Sequence, residues 1–248
     1  MASDLGGVAR LHPRVAGVST IVFAVAGLAW FVLETTPPRL GFEDTDNPAL
    51  MVQFVREHPD IPIFTGLVLL AMALSLLLAV LAVADVDGSR SDRLAIGSVA
   101  TLGLFAAAFY LVAGAFRIGA SGPLLHFAGL DETWGNAAYV VAQAAGQALL
   151  ISGIVALCLW AVGLSLIGAR ARDLPMWLCA LGAFPAIRLL TGILGPLGLL
   201  PSGELFWLVS MVSIPGTLIW CLALGFVLVR GTPATAAARL DPATGGAT

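Results

Sequence analysis

Residues 61–84 read IPIFTGLVLLAMALSLLLAVLAVA, without a charged side chain and with only Thr65 and Ser75 as hydroxyl interruptions. At 1.5 Å per residue this run reaches about 36 Å as a helix, enough to cross the roughly 30 Å hydrocarbon core of a bilayer. Five more apolar stretches accompany it: Val15–Leu33, Leu94–Ile118, Ala137–Ile167, Met176–Leu199 and Leu205–Val229. The expected fold is therefore all-α, a polytopic transmembrane helix bundle of six spans. The fourth stretch is long, so it either tilts or projects past the bilayer.

Composition agrees. The chain is 59% hydrophobic and 11% charged, with a mean hydropathy of +0.97, whereas soluble domains carry about 25% charged residues. All 12 basic residues are arginine, a bias expected of a GC-rich bacterial genome. A net charge of -3 argues against a nucleic-acid partner. Cys158, Cys179 and Cys221 all fall in the spans without C-x-x-C spacing, so they read as small core side chains. Helical H-E-x-x-H, G-x-S-x-G and phosphate-binding glycine loops are missing, and neither metal nor cofactor is expected.

Arginine placement sets the orientation. Arg10 and Arg14, Arg90 and Arg93, Arg170 and Arg172, and Arg230 and Arg239 fall on one side of the spans. The other side carries only Arg39 and Arg56 in its loops, against Glu43, Asp44, Asp46, Glu57, Asp60, Asp131, Glu132 and Glu204. The positive-inside rule puts both termini in the cytoplasm of a cell-membrane protein. The first span is too long for a signal-peptide core and is expected to stay as a helix. Residues 1–14 then form a cytoplasmic segment, 15–230 the transmembrane domain, and 231–248 a disordered Ala/Thr/Gly/Pro-rich tail.

The longest connection runs from Glu34 to Asp60. Asn47 followed by Pro48 is a helix start. Leu50, Met51, Phe54 and Val55 share one face, with Gln53, Arg56 and Glu57 on the other, and His58-Pro59 ends it. This predicts a short amphipathic helix, either lying on the outer membrane surface or plugging the top of the bundle. Residues 119–136 read as a second outer loop at the interface. Trp30, Trp134, Tyr139 and Trp177 suit an aromatic belt. The pairs Ala115/Gly119 and Ala142/Gly146 suit close helix approach.

Polar groups in hydrocarbon are costly, which makes the few present the best functional pointers. Arg188 lies about 16 Å from the outer end of the fifth span, near the bilayer centre. Its guanidinium stays protonated and needs acceptors, water or an anion. Tyr139, Gln143 and Gln147 recur at i, i+4 and i+8 along the fourth span and form one stripe. Ser210, Ser213 and Thr217 share a face of the sixth, which Pro215-Gly216 is expected to interrupt, as Pro185 interrupts the fifth. Together these predict an outward-open pocket between the fourth, fifth and sixth spans. Arg188 would bind an anionic or carbonyl group there, with Gln143 and Gln147 orienting it. Glu34 and Arg117, at the outer ends of the first and third spans, would pair at the pocket mouth. The competing reading is structural, with glutamines and serines joining helices.

Three segments carry a resemblance: Arg14-Val15-Ala16-Gly17, Asp173-Leu174-Pro175-Met176-Trp177-Leu178, and Ile214-Pro215-Gly216-Thr217-Leu218-Ile219-Trp220. Over about residues 10–231 the chain resembles a large bacterial family of six-helix integral membrane proteins, common in actinobacteria and known only as a domain of unknown function. The resemblance implies a six-helix bundle and no activity. The family often has a glutamate after the proline of the last helix, where this chain has Thr217-Leu218-Ile219.

The leading functional expectation is a protein that binds a small anionic or amphipathic, lipid-like ligand in an outward-facing intramembrane pocket, with the lipid bilayer as its surroundings. A membrane enzyme acting on a lipid or isoprenoid is the second, with Glu34, Asp131 and Glu132 as its candidate acids. A structural or sensory subunit of a membrane complex is the third.

Overall fold

The computed structural model describes residues 13–84, 90–171, 173–194 and 204–230. Arg10, Arg172, Arg239, Gly195, Pro201-Ser202-Gly203 and the tail lie outside them, as do the side chains of Arg90, Arg93 and Ser210. The described residues form helices α1 (Pro13–Glu34), α2 (Thr36–Arg39), α3 (Pro48–Glu57), α4 (Asp60–Ala84), α5 (Arg90–Leu130), α6 (Glu132–Ala171), α7 (Met176–Leu181), α8 (Ala183–Leu194) and α9 (Glu204–Arg230), with no strand among them.

Among the described residues, five helices are long and apolar enough to cross a membrane: 14–34, 60–84, 95–130, 132–171 and 211–230. The long helices are apolar all round. Phe23, Leu69, Leu76, Tyr110, Trp160 and Trp220 are buried in one core, while Val18, Val22, Val25, Leu74, Leu78, Leu81, Phe105 and Val112 are exposed. An exposed apolar shell around an apolar core suits acyl chains as solvent. Neighbours follow a closed cycle, α1 on α4, α4 on α5, α5 on α6, α6 on α8, α8 on α9 and α9 back on α1. Two crossings are backbone-close. A Cβ on Gly66 would lie 2.8 Å from the Gly114 carbonyl, and one on Gly17 would lie 2.6 Å from the Gly225 carbonyl. The expected small pairs do not serve here: Gly119 has nothing within 4 Å of its Cβ position, and Gly146 meets only Phe116, at 3.9 Å.

The fifth apolar stretch is interrupted next to Pro185, as expected, and is split at Gly182 into α7 and α8. Pro185 has no N–H to bond the Leu181 carbonyl, and Gly182 N closes a tighter turn onto Cys179 O at 3.0 Å. Pro215 does not break its helix, because α9 runs unbroken through it. Gly216 is where the Phe184 ring seats, since any Cβ there would overlap it.

Residues 119–136 are not a loop. α5 continues past Pro123 to Leu130, and a single residue, Asp131, separates it from α6. Asp131 Oδ1 accepts from Thr133 N at 2.7 Å and from Trp134 N at 3.4 Å, the geometry of a helix N-cap. Those backbone donors hold the Asp131 carboxyl below the usual carboxylate range. At 41 and 40 residues, α5 and α6 measure about 60 Å each, twice the hydrocarbon thickness. Their hairpin therefore extends beyond the end of α1.

α3 forms as its sequence predicts. Asn47 Oδ1 accepts from Ala49 N at 3.1 Å and Leu50 N at 3.4 Å. Its apolar face meets protein: Met51, Val52, Phe54 and Val55 pack with Phe42 and Leu124 in a second core. Arg56 Nη2 donates to Ala128 O at 3.2 Å, placing a cation near the C-terminal end of α5. Of the two readings of this helix, the plug over the bundle is the one observed.

Candidate functional site

α3 roofs a cavity of about 350 Å³. The end of α1, the start of α4, the last third of α5 and the first half of α6 form its walls. Met51, Phe54 and Val55 face it from the roof, and Tyr139, Gln143 and Gln147 line it as the predicted stripe along α6. Thr65 also lines it, but its hydroxyl donates to Ile61 O at 2.8 Å.

Glu34 and Arg117 line the same cavity. Arg117 Nη2 donates to Glu34 Oε1 at 2.7 Å, with the two side chains 21% and 28% exposed, Arg117 first. The pair ties the last residue of α1 to α5 across 83 positions of sequence. Glu34 Oε2 is buried and has no hydrogen-bond partner among the described residues. Tyr139 lies within electrostatic reach of Arg117, Glu34 and Asp46, and Asp46 lines the cavity from the loop before α3.

Arg188, Ser213 and Thr217 are not among the lining residues. Arg188 stands on α8 with its Nε buried, and Tyr110 and Cys158 are its electrostatic neighbours. Both neighbours are buried in the core, at 2% and 0% exposure, so Arg188 faces the bundle interior and not lipid. Cys158 lies 11 residues past Gln147 on α6, and the Tyr110 ring packs at Gly153, six residues past it, so Arg188 lies roughly 9–16 Å inward of the stripe. Ser213 and Thr217 are buried on α9, and Thr217 Oγ1 donates to Ser213 O at 2.8 Å. The single pocket expected from sequence is thus two polar regions. The depths diverge because α6 starts at Glu132 and projects, so Gln143 and Gln147 sit higher than a count from Ala137 implies.

Asp46, Phe116 and the roof residues were not expected as pocket residues. The apolar face of Met51, Phe54 and Val55 was the available signal, once it is read as covering protein. No cluster of three His, Cys, Asp or Glu side chains poised for a metal occurs among the described residues. His58 packs against Phe54 and Phe42, with ring centroids at 5.5 Å and 6.3 Å. Trp30, expected in the aromatic belt, is buried in the main core. Comparison with family models, curated proteins and solved structures finds no match.

Proposed function

We propose that the chain is a multi-pass protein of the cell membrane that binds a small amphipathic, lipid-like ligand in the cavity beneath α3. The observation that carries this reading is a 350 Å³ space in which one wall is a polar stripe and an ion pair, and the roof is apolar. Ligand sites are concavities of about 300 Å³ or more in which placed polar groups orient the ligand, and here polar and apolar surface line the space about equally. The cavity lies where α1 ends, at the level expected for lipid headgroups.

Six crossings and cytoplasmic termini belong to the same proposal. α8 takes a place in the ring between α6 and α9, the place that a sixth crossing occupies. Arg14, Arg170 and Arg230 cluster at one end of the bundle, and the acidic residues 43, 44, 46, 57, 60, 131 and 132 at the other. The arginine-rich end faces the cytoplasm.

An enzyme that protonates a lipid is less well supported. Such an acid needs a site free of cations, and Arg117 sits 2.7 Å from Glu34. Asp131 and Glu132 are exposed on the hairpin and do not line the cavity.

A mass-spectrometric inventory of molecules retained by the purified protein in mild detergent tests the reading. Gly146 lines the cavity and has room for a side chain, so Gly146→Leu fills the space without touching the charged groups. A retained amphiphile lost in that variant is expected; identical retention in both proteins overturns the proposal. Cysteine accessibility at Asp46 and Arg170 in intact cells, in a background lacking the native cysteines, tests topology. Labelling from outside is expected at 46 alone.

A further inference from the structure

We infer that the cavity selects a positively charged nitrogen, so that its ligand is an amine- or ammonium-bearing amphiphile. The inference rests on the ligand-binding reading above and adds the charge of the ligand.

The charged side chains lining the cavity are Glu34, Asp46 and Arg117, two negative and one positive. The cation is already engaged, because Arg117 Nη2 holds Glu34 Oε1 at 2.7 Å. An anionic ligand that used the remaining Arg117 donors would stand beside the Glu34 carboxylate and meet its repulsion. The second oxygen of that carboxylate has the opposite need. Glu34 Oε2 is buried and has no donor among the described residues, although an ionised carboxylate accepts at both oxygens. A ligand nitrogen beside Glu34 supplies that donor or, if quaternary, a compensating charge.

Two further features favour a cation. Asp46 stands at the cavity edge, close enough for its charge to act on Tyr139 together with those of Glu34 and Arg117. Phe54, Phe116 and Tyr139 put three aromatic rings on the cavity lining. Aromatic rings with a carboxylate are the chemistry that recognises ammonium groups. Arg188 is not among the cavity-lining residues and lies roughly 9–16 Å further in by the helical rise.

The test uses the full chain in neutral detergent, with native mass spectrometry as the readout. The probes are dodecyltrimethylammonium, laurate and tetramethylammonium. Dodecyltrimethylammonium is expected to bind about tenfold or more tightly than laurate, with Glu34→Gln losing roughly that factor. Arg117→Gln leaves Glu34 uncompensated and is expected to raise ammonium affinity several-fold, whereas an anion site would show only a loss of laurate. Should Glu34→Gln fail to fold, Asp46→Asn at an exposed position carries the test, with a several-fold loss expected. Tetramethylammonium binding as tightly as the chain-bearing probe supports the charge selection and assigns the ligand to the soluble pool. Equal binding of dodecyltrimethylammonium and laurate overturns the inference while the lipid-pocket reading stands. No binding of any probe overturns both.

Discussion

Removing Arg117 separates the architectural role of the Glu34–Arg117 pair from its chemistry. The two side chains are 21% and 28% exposed, Arg117 first, and meet at 2.7 Å. Exposed pairs contribute about 0–1 kcal/mol, and breaking a fully buried one costs about 3–5 kcal/mol. At this intermediate exposure Arg117→Ala should cost about 2 kcal/mol. The loss arises because Glu34, with one oxygen already buried and lacking a donor, loses its remaining partner. At about 2–4 °C per kcal/mol for a chain of this size, the melting temperature should fall by about 4–8 °C in detergent, followed by circular dichroism. The double variant Glu34→Leu/Arg117→Met removes both charges and should return to within about 1 kcal/mol of the parent; with the matching single variants Glu34→Leu and Arg117→Met it should give a coupling energy of roughly 1–2 kcal/mol. Single variants that melt with the parent, or additive losses in the double variant, would refute the claim that this pair joins α1 to α5.

Gly17→Ala should be destabilising by about 1–3 kcal/mol, because its Cβ would lie 2.6 Å from the Gly225 carbonyl. Gly119→Ala, in open space, should be neutral or stabilising by up to about 1 kcal/mol; thermal melts of both variants check the contrast. Asn47→Ala removes the acceptor for Ala49 N and Leu50 N and should cost about 1 kcal/mol, seen as faster hydrogen exchange confined to α3. Asp131 has a lowered folded-state pKa, so its capping contribution is complete above the ordinary carboxylate range and is lost as pH falls through the lowered value. Amide exchange at Thr133 and Trp134, corrected for its intrinsic pH dependence, should lose protection at acid pH in the parent. It should be flat with pH in Asp131→Asn.

Local patterns were readable in the sequence. The uncharged run of residues 61–84 became α4, and Asn47-Pro48 opened α3 because an N-cap is decided within three residues. The stripe of Tyr139, Gln143 and Gln147 stayed on one face, since i, i+4, i+8 spacing holds in any helix. Long-range placement was less readable. The depth of Arg188 was counted from one end of its own span, whereas its neighbours Tyr110 and Cys158 belong to other helices. Residues 119–136 resembled a loop through Pro123 and scattered polar groups, yet the helix tolerates one lost donor. Close helix crossings depend on glycines from two helices, such as Gly66 with Gly114, so spacing within one helix pointed to Gly119 and Gly146 instead. Glu34 and Arg117 were placed at the same membrane level from their positions at span ends, and their contact followed from level and charge.

A density map of the protein in lipid nanodiscs, by crystallography or fiducial-assisted cryo-electron microscopy, meets the ligand proposal most directly. Elongated non-protein density beneath Phe54, with its polar end beside Glu34 and its chain leading toward the bilayer, is the predicted result. A cavity that is filled by side chains, or that holds only water between Tyr139 and Gln147, would contradict it.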